Sequence, residues 1–264
     1  MRWAILMFIL LLIGCVSEAP VRDEVIKEEH EAVIPYDSSV HIDMSKIGLV
    51  DIQLLDSTIQ IDLRYAGENN FMGQTLYDTL QWVFLQQDVA ERLVLCQKTL
   101  QDSMPGYSLL VYDGVRPVQV QQEMWDALDS IPFGRRVKFV SNPALGSIHN
   151  YGSAVDLTIV EPSGKPLDMG AGYDDFREIA FPSLEWKFRQ SGELSEEQWK
   201  NRKLLRWVMR SQKFHGIQSE WWHFNAYDRY TASHKYEQLL SESGHSRWFK
   251  PALPDSTAKD SISE

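Results

Sequence analysis

Two short stretches of this 264-residue chain put ionisable side chains where a buried apolar run would be expected. The first is Ser147-Ile148-His149-Asn150-Tyr151-Gly152-Ser153-Ala154-Val155-Asp156, and the second is Glu220-Trp221-Trp222-His223. A carboxylate between Val155 and Leu157 is costly to bury unless it is paired or holds a cation. Two histidines and an aspartate are the imidazole and carboxylate mixture that zinc accepts, with a fourth position left for water. Taken singly, each residue has an ordinary reading. His149 or His223 could be a hydrogen-bonded core histidine, Asp156 the partner of a buried arginine, and Glu220 half of an ion pair.

Spacing sets the geometric demand. His149 and Asp156 are seven apart, so on a flat strand they would face opposite sides. Gly152 permits a turn that brings both toward one point. Glu220 and His223 are three apart, which requires a bulge or a helical turn if both are to aim at one metal. Arg116 precedes Pro117, which biases it toward extended backbone at the start of a helix. Standing alone, Arg116 reads first as a structural salt-bridge residue.

The elements that must position these groups alternate without a regular βαβ rhythm. Gln87 to Leu100 predicts an amphipathic helix, with Val89, Leu93, Cys96 and Leu100 on one apolar stripe. Ser108 to Tyr112 predicts a strand ending at Asp113-Gly114. Pro117 suits the first turn of a helix reaching about Leu128. Ala154 to Val160 reads as a strand, and Ser195-Glu196-Glu197-Gln198 as a capping box opening a helix to about Gln212. The aromatic run Gly216 to Phe224 reads as a strand. These elements predict an α+β fold: a single domain with a central antiparallel or mixed sheet flanked by helices.

Composition narrows the class. Hydrophobic content of 44% with 24% charged residues suits a globular domain with a sizeable core. A net charge of -11 argues against nucleic acid as a partner, because phosphates need a basic face. Arg2 followed by the apolar run Trp3 to Ile13 predicts a signal peptide over residues 1–14, too short to span a bilayer comfortably. Leu12-Ile13-Gly14-Cys15 looks like a bacterial lipobox, implying cleavage before Cys15 and lipidation of its sulfur; the alternative is an ordinary signal with a chance cysteine. The expected location is therefore exported and lipid-anchored to a bacterial membrane, on the periplasmic or cell-surface face. Residues 15–45 read as the lipidated cysteine and a flexible tether of about 30 Å average span. Residues 46–250 read as the domain and 251–264 as a disordered tail. Cys96 is then the one cysteine without lipid, so no intrachain disulfide is expected.

Six blocks in order carry a family resemblance. They are Ile61-Asp62-Leu63-Arg64-Tyr65-Ala66, Asn70-Phe71-Met72-Gly73, Tyr112-Asp113-Gly114-Val115-Arg116-Pro117, the Ser147 to Asp156 segment, Met169-Gly170 with Tyr173-Asp174, and Glu220-Trp221-Trp222-His223-Phe224. Across Ile59 to Tyr227 the chain resembles the D-alanyl-D-alanine dipeptidases, zinc enzymes of the VanX type related to zinc D,D-carboxypeptidases. The resemblance implies one Zn2+ per chain held by His149, Asp156 and His223, with Glu220 as general base and Arg116 stabilising the oxyanion. It also implies Ser147 as a substrate contact and Asp174 as the carboxylate facing the substrate's ammonium group. Two departures bear on substrate fit: Gly67 stands where threonine is common, and Tyr173 where phenylalanine is. The implied activity is hydrolysis of D-Ala-D-Ala or a related D,D-dipeptide. The alternatives are a cell-wall D,D-carboxypeptidase or endopeptidase and a non-catalytic, zinc-stabilised binding lipoprotein, since Hedgehog signalling domains share this type of metal site.

Overall fold

A computed structural model describes residues 38–248, which fall within one compact unit. Its strands are β1 (Leu49–Asp51), β2 (Gln60–Ile61), β3 (Phe84–Gln86), β4 (Ser108–Asp113), β5 (Ala154–Val160), β6 (His215–Gly216), β7 (His223–Asn225), β8 (Gln238–Leu239) and β9 (Ser246–Arg247). The α-helices are α1 (Ser38–Ser45), α2 (Ile52–Leu55), α3 (Gln87–Ser103), α4 (Val118–Ala127), α5 (Phe133–Arg136), α6 (Glu185–Ser191), α7 (Glu196–Ser211) and α8 (Arg229–Lys235). Five strands form the central sheet in the order β2-β4-β5-β7-β6. β2 runs parallel to β4 and the other pairs are antiparallel, so the sheet is mixed and the fold is α+β as expected.

β5 is the middle strand and every one of its residues is buried. Successive side chains alternate between faces. Val155, Leu157 and Ile159 join Val89, Leu93, Cys96 and Leu100 of α3 and Leu205, Val208 and Met209 of α7 in one core. Full burial of such side chains is worth roughly 1.5–3 kcal/mol each, which pins the register of the strand. Asp156 and Thr158 consequently face the other way. Ser195 caps α7 with both halves of its capping box formed. A second cluster, including Tyr65, Tyr77, Phe84, Met124 and Trp125, packs beneath α4.

Three local expectations require correction. Ser38–Ser45, within the stretch read as tether, is helix α1 with Met44 fully buried, so the domain takes in that segment. Gly216 to Phe224 is not one strand: β6 and β7 flank irregular backbone at 217–222. Trp221 and Trp222 are buried there through edge-on packing at 5.5 Å, which gives a loop the aromatic content of a strand. Pro117 is the cap before α4, not its first residue. The leader at 1–14, Cys15, the remainder of the tether and the tail from 251 lie outside the described residues.

Candidate active site

The sheet register builds the centre. Asp113 of β4 sits opposite Asp156 of β5, and Asp156 sits opposite His223 of β7, so three ionisable residues form a row across adjacent strands. A bulge between Val111 and Asp113 creates that alignment by inserting an extra residue on β4. His149 arrives from a different element, a single 3-10 turn over Ile148–Tyr151. Ser147 caps this turn: its Oγ accepts from the His149 N–H at 3.3 Å, and Asn150 Oδ1 accepts from the Ser147 N–H at 2.6 Å. Gly152 closes the turn at φ 62°. A Cβ there would stand 2.4 Å from Leu49 Cδ2 and 3.2 Å from the Gln86 nitrogen, so only glycine fits. The chain thereby reverses between His149 and Asp156, as their spacing demands.

The donor atoms converge. His149 Nε2 lies 3.1 Å from His223 Nδ1 and 3.3 Å from Asp156 Oδ1, and His223 Nδ1 lies 2.9 Å from Asp156 Oδ1. The outer nitrogens are committed elsewhere. His149 Nδ1 is 2.7 Å from the Gly114 carbonyl, which can only accept, so this nitrogen carries the proton and Nε2 presents a lone pair. His223 Nε2 is 2.8 Å from Asn225 Oδ1, which turns Nδ1 inward in the same way. Three atoms able to act as metal ligands therefore face one point. The Asp156 carboxylate works against burial, but the two imidazoles hold its pKa well below the usual range. Burial would lower the His223 pKa, yet Asp156 raises it to about 9.

These residues fit a zinc ion. Tetrahedral ligands about 2.0–2.1 Å from zinc stand about 3.3 Å apart, and the three observed separations come within a few tenths of that. All three side chains are buried, and their fixed outer hydrogen bonds orient them before any metal arrives.

Four other residues singled out in the sequence reach the same pocket, a cavity of about 190 Å³. Glu220 is half-buried at 3.9 Å from His223 Nδ1, and its burial raises its pKa. The irregular backbone before β7, rather than a bulge within a strand, aims Glu220 and His223 at one place. Arg116 is buried, with Nε and Nη2 donating to Asp113 Oδ2 at 2.9 and 2.7 Å and Nη1 to Gln121 Oε1 at 3.2 Å. Burial opposes its charge, but Asp113 overrides that and keeps it cationic. The structural ion pair expected for an isolated arginine is thus present, and the same guanidinium lines the pocket, 3.7 Å from Asp156 Oδ2. Ser147 lines the pocket while serving as the cap. Asp174 adopts a left-handed backbone at φ 58° and, among the described residues, accepts from the Tyr65 hydroxyl, at 3.3 Å to each oxygen, and from the Phe71 N–H at 3.4 Å. Burial, with the Asp156 charge added, pushes its pKa up to about 8.

Sequence reasoning missed several supports. Asp113 anchors Arg116 and also accepts from the Tyr77 hydroxyl at 2.7 Å; its place three residues before Arg116 was the available signal. Asn225, two residues after His223, orients that ring. Arg229 also lines the pocket, and no pattern in the sequence marks it.

Residues 45–242 match the peptidase M15 family model described as D-ala-D-ala dipeptidase. A D-alanyl-D-alanine dipeptidase of Escherichia coli K12 is 32% identical over 179 residues, covering 67% of this chain and 83% of the relative. One from Synechocystis is 30% identical over 173 residues, 55% of this chain and 70% of the relative. Among solved structures, a vancomycin-resistance D,D-pentapeptidase in complex with Zn(II) gives a TM-score of 0.31 at 16% identity, over 63% of this chain and 85% of that one.

Proposed function

This chain belongs to the peptidase M15 family of D-ala-D-ala dipeptidases, and from that premise we propose that it is a zinc peptidase hydrolysing D-Ala-D-Ala or a closely related D,D-dipeptide. The observation that carries the reading is the meeting of three inward-facing donor atoms within 3.3 Å of one another, with Glu220 alongside. His149, Asp156 and His223 would hold the zinc ion. When bound, the metal supplies Lewis acidity, polarising the scissile carbonyl and acidifying water.

The chain's own residues supply the rest. Glu220 takes a proton from the attacking water and returns it to the leaving amine; its raised pKa brings it nearer the range where a carboxylate exchanges protons at neutral pH. Arg116 is held rigid by Asp113 and Gln121, so it presents its remaining N–H groups to the developing oxyanion without reorganising. Asp174, which no cation pairs among the described residues, receives the substrate's ammonium group. Ser147 holds the His149 turn and offers its hydroxyl at the pocket wall. A cavity of about 190 Å³ is small beside the roughly 300–1,000 Å³ of drug-sized sites, which favours a free dipeptide over a wall peptide.

Metal analysis of the purified protein, coupled to an assay for released D-alanine, tests this directly. One zinc per chain and metal-dependent release of D-alanine are expected; a metal-free chain that still hydrolyses the dipeptide would refute it. We further propose an exported enzyme tethered to a bacterial membrane through Cys15, on the strength of Leu12-Ile13-Gly14-Cys15 behind an apolar leader. A clickable fatty acid should label the wild-type chain and not Cys15→Ala. Equal labelling of both would remove the anchor from the proposal.

A further inference from the structure

Asp174 and Arg229 line one pocket, and among the described residues neither has an oppositely charged side chain within 4 Å. They belong to different surroundings. Asp174 lies beside Tyr65 and Phe71, whereas Arg229 Nη1 donates to the Leu145 and Gly146 carbonyls, immediately before Ser147. The other guanidinium of the pocket, Arg116, is tied to Asp113 and Gln121. The two carbonyls engage a single nitrogen of Arg229. Among the described residues no hydrogen bond engages its Nε or Nη2, and this side of a guanidinium is the fork that matches a carboxylate with two parallel hydrogen bonds.

We propose that Arg229 binds the free C-terminal carboxylate of the substrate. The inference rests on the dipeptidase reading and deepens it. A dipeptide is a zwitterion whose ammonium and carboxylate lie one residue to either side of the scissile bond. A pocket with an unpaired carboxylate and an unpaired guanidinium is complementary to both charges at once. An internal peptide bond of a longer chain offers neither, so the pair selects by length as well as by charge. Arg229 is exposed at the rim, so solvent screens it and its contribution is bounded. One charge-assisted hydrogen-bonded contact of this kind is worth about ten- to hundredfold in binding.

The test compares D-Ala-D-Ala with its C-terminal amide in steady-state hydrolysis by the full chain loaded with zinc. The wild type should favour the acid at least tenfold in kcat/KM. Arg229→Gln should lose about ten- to hundredfold on the acid, mostly in KM, and change little on the amide, so that the preference collapses toward one. Arg229→Lys keeps the charge without the fork and should retain part of the preference; it also serves if the glutamine variant does not fold. A glutamine or lysine variant with the full wild-type acid-to-amide ratio would overturn the assignment of Arg229 alone. A wild type that releases no D-alanine from either compound would instead overturn the dipeptidase reading and this inference with it.

Discussion

Asp113 is a fully buried carboxylate tied to Arg116, Asp174 a half-buried one that lines the pocket, and their surroundings differ in one respect. Asp113 accepts from Arg116 Nε and Nη2 and from the Tyr77 hydroxyl, all at 2.9 Å or less. Asp174 has one tyrosine hydroxyl and one backbone N–H, at 3.3–3.4 Å, and among the described residues no cation within 4 Å. A buried carboxylate with its counter-ion supplied by the fold is framework. One whose counter-ion is missing is a place for a cation brought by a ligand. The difference follows from where each sits: Asp113 ends a central strand in fixed register, whereas Asp174 lies on irregular backbone between β5 and α6.

The comparison breaks most readily at the residues placed on either side of it. Glu220 belongs to the chemistry rather than the framework, so Glu220→Ala should lower kcat by about 10²–10⁴-fold while zinc stays at one per chain. Near-normal turnover would show that the base is another group. Asp113→Ala removes the partner of a buried guanidinium, a change that typically costs about 3–5 kcal/mol. Urea unfolding should register that loss, and a loss under about 1 kcal/mol would place Asp113 outside the framework.

Legibility in the sequence followed the same division. The Gly152 turn, the Ser195 capping box and the α3 stripe each depend on residues within a turn or two, and the chain carries them openly. The seven residues named for the site do share one pocket. Their convergence, though, depends on cross-strand register set by the bulge at the end of β4, and Ser108 to Tyr112 reads as an unbroken apolar strand. Helix α1 escaped notice because its polar sequence has little helical periodicity. What docks it is long-range: Met44 in the core and His41 Nε2 at 3.0 Å from Asp51. Loop 217–222 was misread because buried tryptophans signal burial, not backbone conformation.

Asp174→Asn sharpens the comparison from its other side. Removing the carboxylate should raise KM for D-Ala-D-Ala about ten- to hundredfold, the worth of a charge-assisted contact, without the stability loss of Asp113→Ala. The sign of its pH effect can be worked out. With a folded pKa raised to about 8 against an ordinary 3.8, folded chains keep a proton that unfolded chains release across that interval. The stability linked to this proton is fully present below the unfolded value and is lost as pH rises through about 8. Zinc would weaken the effect by offsetting the Asp156 charge, so metal-free protein is the sample to use. Wild type minus Asp174→Asn, followed by urea unfolding between pH 4 and 8, should decline steadily; a flat difference would mean that Asp174 is better solvated than its position implies.

The smallest expected effect concerns a hydroxyl that joins the two sides. Tyr173 donates to Asp156 Oδ2 at 3.2 Å, the oxygen turned away from the histidines, while its ring packs on Tyr65, Tyr112 and Trp222. Arg116 Nη2 stands 3.7 Å from that same oxygen. Together they hold the carboxylate so that Oδ1 alone faces the donor cluster, the kind of outer contact whose loss costs about tenfold or more in metal affinity. Because Arg116 remains in Tyr173→Phe, the loss should sit at or below the lower end, about three- to tenfold in a chelator competition for zinc. The ring packing is kept, so the unfolding midpoint of the metal-free protein should hardly move. An unchanged zinc affinity would mean that Arg116 and the sheet register suffice to aim Asp156, and that the Tyr173 hydroxyl serves the substrate side alone.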